Sequence, residues 1–478
     1  MKRILVGPFN RVEGDLEVTL ELGQGKVSAA YVNSPLYRGF EQILQGKDPL
    51  DALTLAPRIC GICSVSQSTA AAFALARVMG LEVPPNGQLA TNLILANENL
   101  ADHITHFYLF FMPDFARESY RGRPWFPEIA ARFKAIEGTA AGEIIPARAA
   151  FLRLMGYLAG KWPHTLSLQP GGSVRAIDAA EKFRIHALLR QFRNFLEKRL
   201  YGDTLESIAS LDSIKALDNW RGRAPSSDFG LFLDVARDLD LDKFGRAADR
   251  FMSYGNYPLP EGRLFSPGLW HEGANPLDPG SITEDVSRSW MKGLPLHPSE
   301  GMTVPMPERS EGYSWCKAPR LGGQVVETGA LARQVVDGHP LVRDLVASSG
   351  GNIRNRVIAR LIETARVLIA MEEWIRSIEP DAPFCADGKM PSEAAGAGLV
   401  EAARGSLGHW LHVYKGRILN YQIISPTTWN FSPRDGKGVP GALEQALVGA
   451  PVGQGEEDPV MVQHIVRSFD PCMVCTVH

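Results

Sequence analysis

The chain ends in Asp470-Pro471-Cys472-Met473-Val474-Cys475-Thr476-Val477-His478, with two cysteines at CxxC spacing. The same spacing occurs far upstream, in Arg58-Ile59-Cys60-Gly61-Ile62-Cys63. Four thiolates make one site for a soft metal if the fold brings the two segments together. We therefore expect residues 58–67 and 470–478 to meet at a buried metal site around which the rest of the chain is organised.

Composition and charge narrow the class of protein. The 478 residues include 50 basic and 53 acidic ones, and this balance gives no indication of binding to nucleic acid or to a membrane surface. No apolar run reaches the roughly 20 residues that a membrane span needs. The first residues lack the apolar region and the cleavage site of a signal peptide. We expect a cytoplasmic globular protein.

The six cysteines leave several interpretations open. They are too few for a disulfide scaffold in so long a chain, and Cys316 and Cys385, which stand alone, are expected to be buried small hydrophobic residues. Two CxxC pairs are typical of a tetrahedral structural zinc site. Four thiolates also suit an iron–sulfur cluster. The spacing alone does not decide between zinc and a redox centre.

The hydrophobic pattern predicts a mainly α-helical protein. Alternating apolar residues within 2–34 predict a half-buried β-hairpin, so residues 1–50 should include a small β region. A middle segment, 255–325, is rich in proline, glycine and tryptophan and predicts loops with short strands, and 421–430 is expected to be extended. We predict one unit over 1–478, with helices at 38–47, 66–79, 91–112, 139–160, 174–200, 356–378 and 392–403.

Two of these helices carry polar groups that suggest chemistry. The helix after Cys63 should place the first cysteine pair near a helix amino terminus, where the partial positive charge favours thiolates. In 91–112, four polar side chains share one face of an otherwise apolar helix. Both a satisfied core histidine with its acid partner and a functional role remain open for this face, which consists of Asn99, Asp102, His103 and His106.

Motifs along the whole chain resemble those of the large subunit of the [NiFe]-hydrogenases. This ordered set makes structural zinc the weaker interpretation of the cysteines. Beside the two CxxC segments it includes Arg11-Val12-Glu13-Gly14, Arg38-Gly39-Phe40-Glu41, Asp102-His103-Ile104-Thr105-His106-Phe107-Tyr108, Pro170-Gly171-Gly172, Ala403-Arg404-Gly405-Ser406-Leu407-Gly408-His409-Trp410 and Pro426-Thr427-Thr428-Trp429-Asn430.

The resemblance implies a nickel–iron centre whose iron carries one CO and two cyanides. Cys60 and Cys472 would be terminal nickel ligands, and Cys63 and Cys475 would bridge nickel to iron. Thr427, after Pro426, would hydrogen-bond a cyanide. A nearby Mg²⁺ or similar cation would be held by Glu41, the carbonyl of Ile423 and His478.

The resemblance also implies heterolytic cleavage of H2 into a hydride and a proton. Arg404 would lie over the open metal position, held by Asp102 and Asp470, where a fixed cation stabilises developing charge. Glu13 would take the proton from the thiolate of Cys472. Because only two other cysteines remain, the iron–sulfur clusters that carry electrons away would lie in a partner small subunit.

Departures from the commonest family pattern favour the hydrogen-sensing branch. Gln67 and Asp15 stand where histidines are usual, and Ala403 replaces a proline before the arginine. Bulky Ile62 and Phe110 stand at positions that resemble the gas channel, and no tail follows His478. These features predict a cytoplasmic H2 sensor that signals to a histidine kinase and is matured by chaperones and nickel-insertion proteins. The alternative is a cytoplasmic uptake hydrogenase that feeds electrons to a carrier.

Overall fold

A three-stranded antiparallel sheet begins the chain in the computed structural model, which describes residues 2–224 and 226–478. Its strands are β1 (Lys2–Val6), β2 (Glu17–Gly23) and β3 (Lys26–Asn33), in the order β1-β2-β3. Val18 and Leu20 on the inner face of β2 are fully buried. The predicted hairpin is therefore confirmed, with β1 added to its edge.

Four helices follow the sheet, and the last two are almost entirely buried. They are α1 (Phe40–Leu44), α2 (Ala52–Leu55), α3 (Ser64–Met79) and α4 (Pro85–Thr105). Helix α3 ends at Gly80, whose positive φ of 64° suits a residue without a side chain. Helix α4 continues into a π-helical turn, His106–Phe111, so the helix predicted at 91–112 is confirmed with an earlier start.

The helices between residues 126 and 238 form the outer part of the helical core. The helices predicted at 139–160 and 174–200 are both present, but the first is broken after Leu152 and the second ends in a π-helical turn, Leu196–Tyr201. The helices of this region are α5 (Phe126–Phe133), α6 (Thr139–Leu152), α7 (Leu154–Leu158), α8 (Ala179–Phe195), α9 (Leu205–Ala209), α10 (Ile214–Arg223) and α11 (Asp228–Asp238).

Short strands and loops occupy the middle of the chain, as the proline and glycine content of 255–325 predicted. Most of these strands form two-stranded sheets, and three of them, β6, β9 and β10, form a three-stranded one. They are β4 (Leu168–Gln169), β5 (Gly172–Ser173), β6 (Phe251–Ser253), β7 (Asn256–Leu259), β8 (Gly262–Phe265), β9 (Gly268–Trp270), β10 (Ala274–Asn275), β11 (Ile282–Asp285), β12 (Met291–Lys292), β13 (Val304–Pro305) and β14 (Ala318–Leu321).

A long central helix follows the loop region. Helices α12 (Ala330–Asp337) and α13 (Pro340–Ser349) lead into α14 (Ile353–Ser377), which has 25 residues and confirms the helix predicted at 356–378. Helix α14 packs against α4, α8, α9 and α12. Its position between these helices places it at the centre of the helical core.

The prediction of a helix at 392–403 is wrong, because this segment is a strand. Strands β15 (Glu393–Ala402), β16 (Gly405–Tyr414) and β17 (Arg417–Ile424) form an antiparallel sheet that packs on α3. A Cβ atom on Gly398 would lie 1.9 Å from the carbonyl oxygen of Ala70. The alanines and glycines of this segment therefore allow a strand to approach a helix closely.

Three short helices precede the end of the chain: α15 (Pro426–Asn430), α16 (Ala442–Leu447) and α17 (Val460–Ser468). The prediction that 421–430 is extended holds only to Ile424, because the side chain of Ser425 accepts from the amide of Thr428 and starts α15. Helices hold 45% and strands 19% of the residues, so "mainly α-helical" understates the strand content. Among the described residues, no helix is both long and apolar enough to cross a bilayer.

Candidate metal centre

The two CxxC segments meet in the interior of the protein, as their spacing predicted. The sulfur atoms of Cys60 and Cys472 are 3.4 Å apart, those of Cys63 and Cys475 are 3.2 Å apart, and those of Cys472 and Cys475 are 3.1 Å apart. All four are buried and none is in a disulfide. Of the His, Cys, Asp and Glu side chains in the described parts of the chain, these four form the one cluster that could hold a metal ion.

The chemistry of this cluster fits a soft metal. Hydrogen bonds from the thiols of Cys472 and Cys475 hold the pKa of Cys60 well below its usual value, whereas contact with the neighbouring sulfurs and burial raise the pKa of Cys472. Four buried thiolates require a cation to balance their charge. Sulfur ligands suit nickel and iron as well as zinc, so the donor atoms alone do not choose the metal.

The amino-terminal pair lies at the start of a helix, which confirms the predicted position. Cys63 is the N-cap residue of α3. Glu98 from α4 accepts hydrogen bonds from the backbone amides of Val65 and Ser66, both at 2.9 Å, and from the indole nitrogen of Trp162 at 2.9 Å. A carboxylate at a helix amino terminus satisfies amides that have no partner within the helix.

The carboxy-terminal pair lies on irregular backbone and depends on contacts with other segments. The amide of Met473 donates to the carbonyl oxygen of Glu13 at 2.7 Å, and the amide of Cys472 donates to the hydroxyl oxygen of Thr427 at 3.1 Å. Arg38 joins the two halves of the cluster, because its guanidinium donates to the carbonyl oxygens of both Ile59 and Val474.

Arg404 lies at the tip of the turn between β15 and β16 and is only 4% exposed. Its guanidinium is 2.7 Å from a carboxylate oxygen of Asp102 and 3.2 Å from one of Asp470. Burial raises the pKa of Asp102 to about 7, against the opposing effect of Arg404. Burial also acts to raise the pKa of Asp470, but Arg404 and His106 outweigh it and leave that pKa below its usual value.

Glu13 lies beside the carboxy-terminal pair. It forms a parallel β-bridge with Cys472, and its side chain is half-buried. Burial, with the charge of Cys60 as the second cause, raises the pKa of Glu13 above its usual value. A carboxylate with a raised pKa beside a cluster of thiols can accept a proton from it.

Two of the three ligands expected for a hard cation, Glu41 and His478, lie together. Oxygen Oε1 of Glu41 accepts from the amide of Ile423 at 2.7 Å and lies 3.2 Å from Nε2 of His478. Ile423 is on the edge strand β17, so its carbonyl and amide face the same side. The ammonium of Lys317 lies 3.7 Å from Glu41, and this charge and that of His478 outweigh burial and lower the pKa of Glu41. Glu284 holds Lys317 at 2.9 Å.

The remaining predicted residues line the same region. Pro426 and Thr427 begin α15, and Ala403 precedes Arg404 in the turn. Gln67 is buried on α3, one turn after Cys63, and its Oε1 is 2.8 Å from Nε2 of His409. Burial lowers the pKa of His409 to about 3, so this ring is neutral.

The polar face of α4 divides into two kinds of residue. Asp102 reaches Arg404, whereas the other three side chains bind core partners: Asn99 with Tyr257, His103 with Glu363 and His106 with the carbonyl oxygen of Arg467. Of the two lone cysteines, Cys316 is fully buried as predicted and Cys385 is only partly buried. Neither joins the sulfur cluster.

Three residues beside the centre were given no role from the sequence: Arg38, Glu98 and Lys317. Arg38 was visible as part of a motif but without a role. Lys317 lacks a local signal, because its partners Glu41 and Glu284 come from distant segments. A charged residue within an apolar helix, such as Glu98 in α4, is the one signal that could have suggested a buried role.

Comparisons with known proteins agree along the whole chain. The profile of the nickel-dependent hydrogenases matches residues 38–117 and 143–478. The periplasmic [NiFeSe] hydrogenase large subunit of Desulfomicrobium baculatum is 30% identical, with 100% of this chain and 95% of the relative covered. The uptake hydrogenase large subunit of Rhodobacter capsulatus is 28% identical, with the same coverage. The Ni-Fe-Se hydrogenase of D. vulgaris Hildenborough in the reduced state superposes over all of both chains with a TM-score of 0.85 and 31% identity.

Proposed function

The chain belongs to the nickel-dependent hydrogenase family, as the large subunit of an oxidoreductase that acts on H2, and from this premise we propose that it cleaves H2 heterolytically in an H2 sensor. The observation that carries the cleavage is the cluster of four buried sulfurs close to the guanidinium of Arg404, whose pKa the charges of Cys472 and Cys63 help to raise. A structural zinc site needs four ligands and no fixed cation above it. A guanidinium that two buried carboxylates hold in place suits a site where negative charge develops.

The four cysteines would hold the metals, with Cys60 and Cys472 on nickel and Cys63 and Cys475 between nickel and iron. The bound centre, with CO and two cyanides on iron, supplies the Lewis-acid and redox chemistry that polarises H2. The hydroxyl of Thr427 accepts from the amide of Cys472, so its own hydrogen remains available for a cyanide nitrogen. Arg404 adds a positive charge that stabilises these anions.

Glu13 is the proposed proton acceptor. Its β-bridge places the backbone of Glu13 next to that of Cys472, the charge of Cys60 acts on its carboxylate, and burial raises its pKa toward the range in which it can bind and release a proton. Glu13 is only half-buried, so it can pass the proton outward to solvent. Removing the carboxylate should interrupt this transfer and leave the metal ligands in place.

A divalent cation such as Mg²⁺ is proposed for the adjacent site of Glu41, Ile423 and His478. The carboxylate and carbonyl oxygens are the ligands that such an ion prefers. Bound there, the cation would tie the terminal residue His478 to α1 and β17. Lys317 already supplies one positive charge to this site, so the cation would be held less by charge than by the geometry of these ligands.

We further propose a cytoplasmic sensor that signals to a histidine kinase. Gln67, Asp15, Ile62 and Phe110 support it, and Ile62 packs against the hydrophobic cluster that contains the four cysteines, where its bulk would restrict the entry of O2. The partner would be an iron–sulfur small subunit, since the described residues hold no second cluster of ligands. Chaperones and nickel-insertion proteins would load the centre. The largest hydrophobic cluster draws its residues from nearly the whole chain, from Val6 to Met473, and this supports one domain over 1–478.

An uptake hydrogenase that feeds a carrier is the second candidate, and it is favoured by the relative from Rhodobacter capsulatus that carries this name. Deleting the gene separates the two functions. Loss of H2-dependent transcription with little change in H2 consumption would support the sensor. The reverse result would support uptake. Infrared spectra of the purified protein test the centre itself, because CO and cyanide stretches should be present in either case.

A further inference from the structure

We infer that Arg333 is a positioning residue for Arg404: its guanidinium holds the turn from which Arg404 reaches over the sulfur cluster. The inference rests on the proposed role of Arg404. Arg333 lies on α12, is fully buried and does not touch the sulfur atoms. Its effect on the reaction would therefore pass entirely through the position of Arg404.

The turn that carries Arg404 needs support from outside. Ala403 and Arg404 are its two residues, between the paired positions Ala402 and Gly405. The tips of such turns usually lie at the surface, where water satisfies their carbonyl groups and where they move. Here Ala403 and Arg404 are each only 4% exposed, so the carbonyl groups of the turn require partners from the protein.

Arg333 supplies a partner for the carbonyl of Ala403 and for that of Ala402, where the turn begins. It donates to the carbonyl oxygen of Ala402 at 2.8 Å and to that of Ala403 at 2.9 Å. Its other N–H groups bind both carboxylate oxygens of Glu363, at 2.7 and 2.9 Å, and Glu401 at 2.9 Å. All five N–H groups of the guanidinium are therefore used. Lysine has three donors on a single nitrogen and cannot reproduce this set.

The two carboxylates that hold Arg333 are themselves fixed. Glu363 on α14 lies 3.0 Å from Nε2 of His103. Glu401 accepts from the amide of Tyr254 at 2.8 Å and from the hydroxyl of Ser406 at 2.5 Å. His103 directly follows Asp102, which holds the guanidinium of Arg404. Two consecutive residues of α4 thus support Arg404. Asp102 binds its guanidinium, and His103 acts on its turn through Glu363 and Arg333.

The competing interpretation is that this network only stabilises the fold. It can be separated from positioning with a double-mutant cycle on the assembled, nickel-loaded heterodimer. A misplacement of about 1 Å in a catalytic group costs on the order of 10²-fold in rate. We therefore expect Arg333→Lys to lower H2 turnover about 10- to 100-fold with nickel and iron content unchanged. In an Arg404→Lys background the same substitution should change turnover by no more than about twofold.

Arg320→Lys is the matched control. Arg320 is also buried, binds a carboxylate of Asp435 at 3.1 Å and donates to the carbonyl oxygens of Pro319 and Val439. None of these partners belongs to the sulfur cluster or to the turn. This variant should melt earlier but retain the turnover of the wild type. Hydrogen exchange of the amides in 402–406 should become faster in Arg333→Lys and remain unchanged in Arg320→Lys.

Three results would overturn the inference: normal turnover in Arg333→Lys, an equal loss of rate with and without Arg404, or unchanged exchange in the turn. If Arg333→Lys does not assemble, Glu401→Gln loosens the same arginine through one of its two carboxylates, and the same cycle applies to it. A wild-type protein without H2 activity would contradict the proposed function instead. The turn exchange in the variants would still test whether Arg333 holds the turn.

Discussion

The two halves of the sulfur cluster are built in different ways. Cys60 and Cys63 lead into α3, a helix of 16 residues that supplies its own hydrogen bonds and is capped by Glu98. Cys472 and Cys475 lie on irregular backbone at the end of the chain. That backbone is held by residues from three other segments: Glu13, Arg38 and Thr427.

The difference indicates which half depends more on the rest of the fold. The amino-terminal pair takes its position from α3 itself, with one cap from Glu98 on α4. The carboxy-terminal pair needs the rest of the fold before its partners are in position. The second pair therefore depends on more segments than the first, and the variants below should affect the two halves unequally.

Removing one sulfur from either half should have the largest effect. Cys60→Ser and Cys475→Ser are both expected to abolish nickel binding and H2 turnover, because each removes a ligand from a four-sulfur set. Metal analysis measures the loss. Hydrogen exchange should then become faster in 470–478 in both variants while α3 stays protected. Equal exchange in the two segments would show that the halves do not differ.

Glu13→Gln tests the contact between the carboxy-terminal half and the proton path. We expect D2/H⁺ exchange to fall by about 10²- to 10⁴-fold, since general acid–base groups contribute that much. Nickel content should not change, because the backbone contacts of Glu13 to Pro471 and Met473 remain. Glu17→Gln, on the neighbouring strand, is the control. Full exchange activity in Glu13→Gln would remove this residue from the path.

Arg404→Lys tests the role of the guanidinium that lies close to both halves of the sulfur cluster. Turnover should fall by about 10²- to 10³-fold with nickel retained, because lysine cannot bind Asp102 and Asp470 with a planar fork. Kinetic assays on protein of known nickel content measure this. Arg320→Lys again serves as the control for a lost buried guanidinium. Wild-type turnover in Arg404→Lys would refute the role.

Arg38→Met breaks the link between the halves. Its guanidinium binds Ile59 on one side and Val474 on the other, so nickel affinity should fall about 10- to 100-fold, as for other residues that support metal ligands. The rate of nickel release to a chelator measures it. Arg309→Met removes a comparable bond, to the carbonyl oxygen of Met291, away from the cluster. The same release rate in both variants would show that Arg38 does not link the halves.

Glu98→Gln should have the smallest effect and a defined pH dependence. Burial raises the pKa of Glu98 from 4.5 to about 7, and Arg148 and Cys60 are the charged groups that face it. The pKa of Glu98 is higher in the folded state than in the unfolded state. The stability that Glu98 contributes is therefore fully present below pH 4.5 and is lost as the pH rises through 7. Relative to Glu98→Gln, the unfolding free energy of the wild type should fall by up to about 3 kcal/mol over that range.

Glu444 provides the control for Glu98. Burial raises its pKa to about 7 as well, but it binds the amides of Val32 and Gly441, far along the chain from the cysteines. The change in melting temperature between pH 5 and pH 8 should be similar in Glu98→Gln and Glu444→Gln. Nickel release should increase a few-fold only in Glu98→Gln. If the difference in stability between Glu98→Gln and the wild type did not change with pH, the raised pKa of Glu98 would be contradicted.

The amino-terminal half could be predicted from its sequence because its signals are local. The helix predicted at 66–79 is α3, and the expected position of the first cysteine pair followed from that helix. The same reasoning failed at 392–403, where alanine and glycine permit a strand to lie against α3. Residue composition does not distinguish a helix from a strand that must pack closely against a helix.

The support of Arg404 could not be predicted from local signals. Arg333 binds Glu363 and Glu401, which lie 30 and 68 residues away, and no periodicity connects the three. The partners of Arg404 itself came from a family resemblance and not from spacing. Contacts of this kind depend on the finished fold. For the same reason, the two carboxy-terminal cysteines could be recognised in the sequence, but the residues that surround them could not be predicted from it.

Anomalous X-ray diffraction at the nickel and iron edges tests the central claim most directly. The account predicts one nickel and one iron peak within the cluster of Cys60, Cys63, Cys472 and Cys475, beneath the guanidinium of Arg404. A single zinc peak among these sulfurs, or nickel bound elsewhere in the chain, would contradict it.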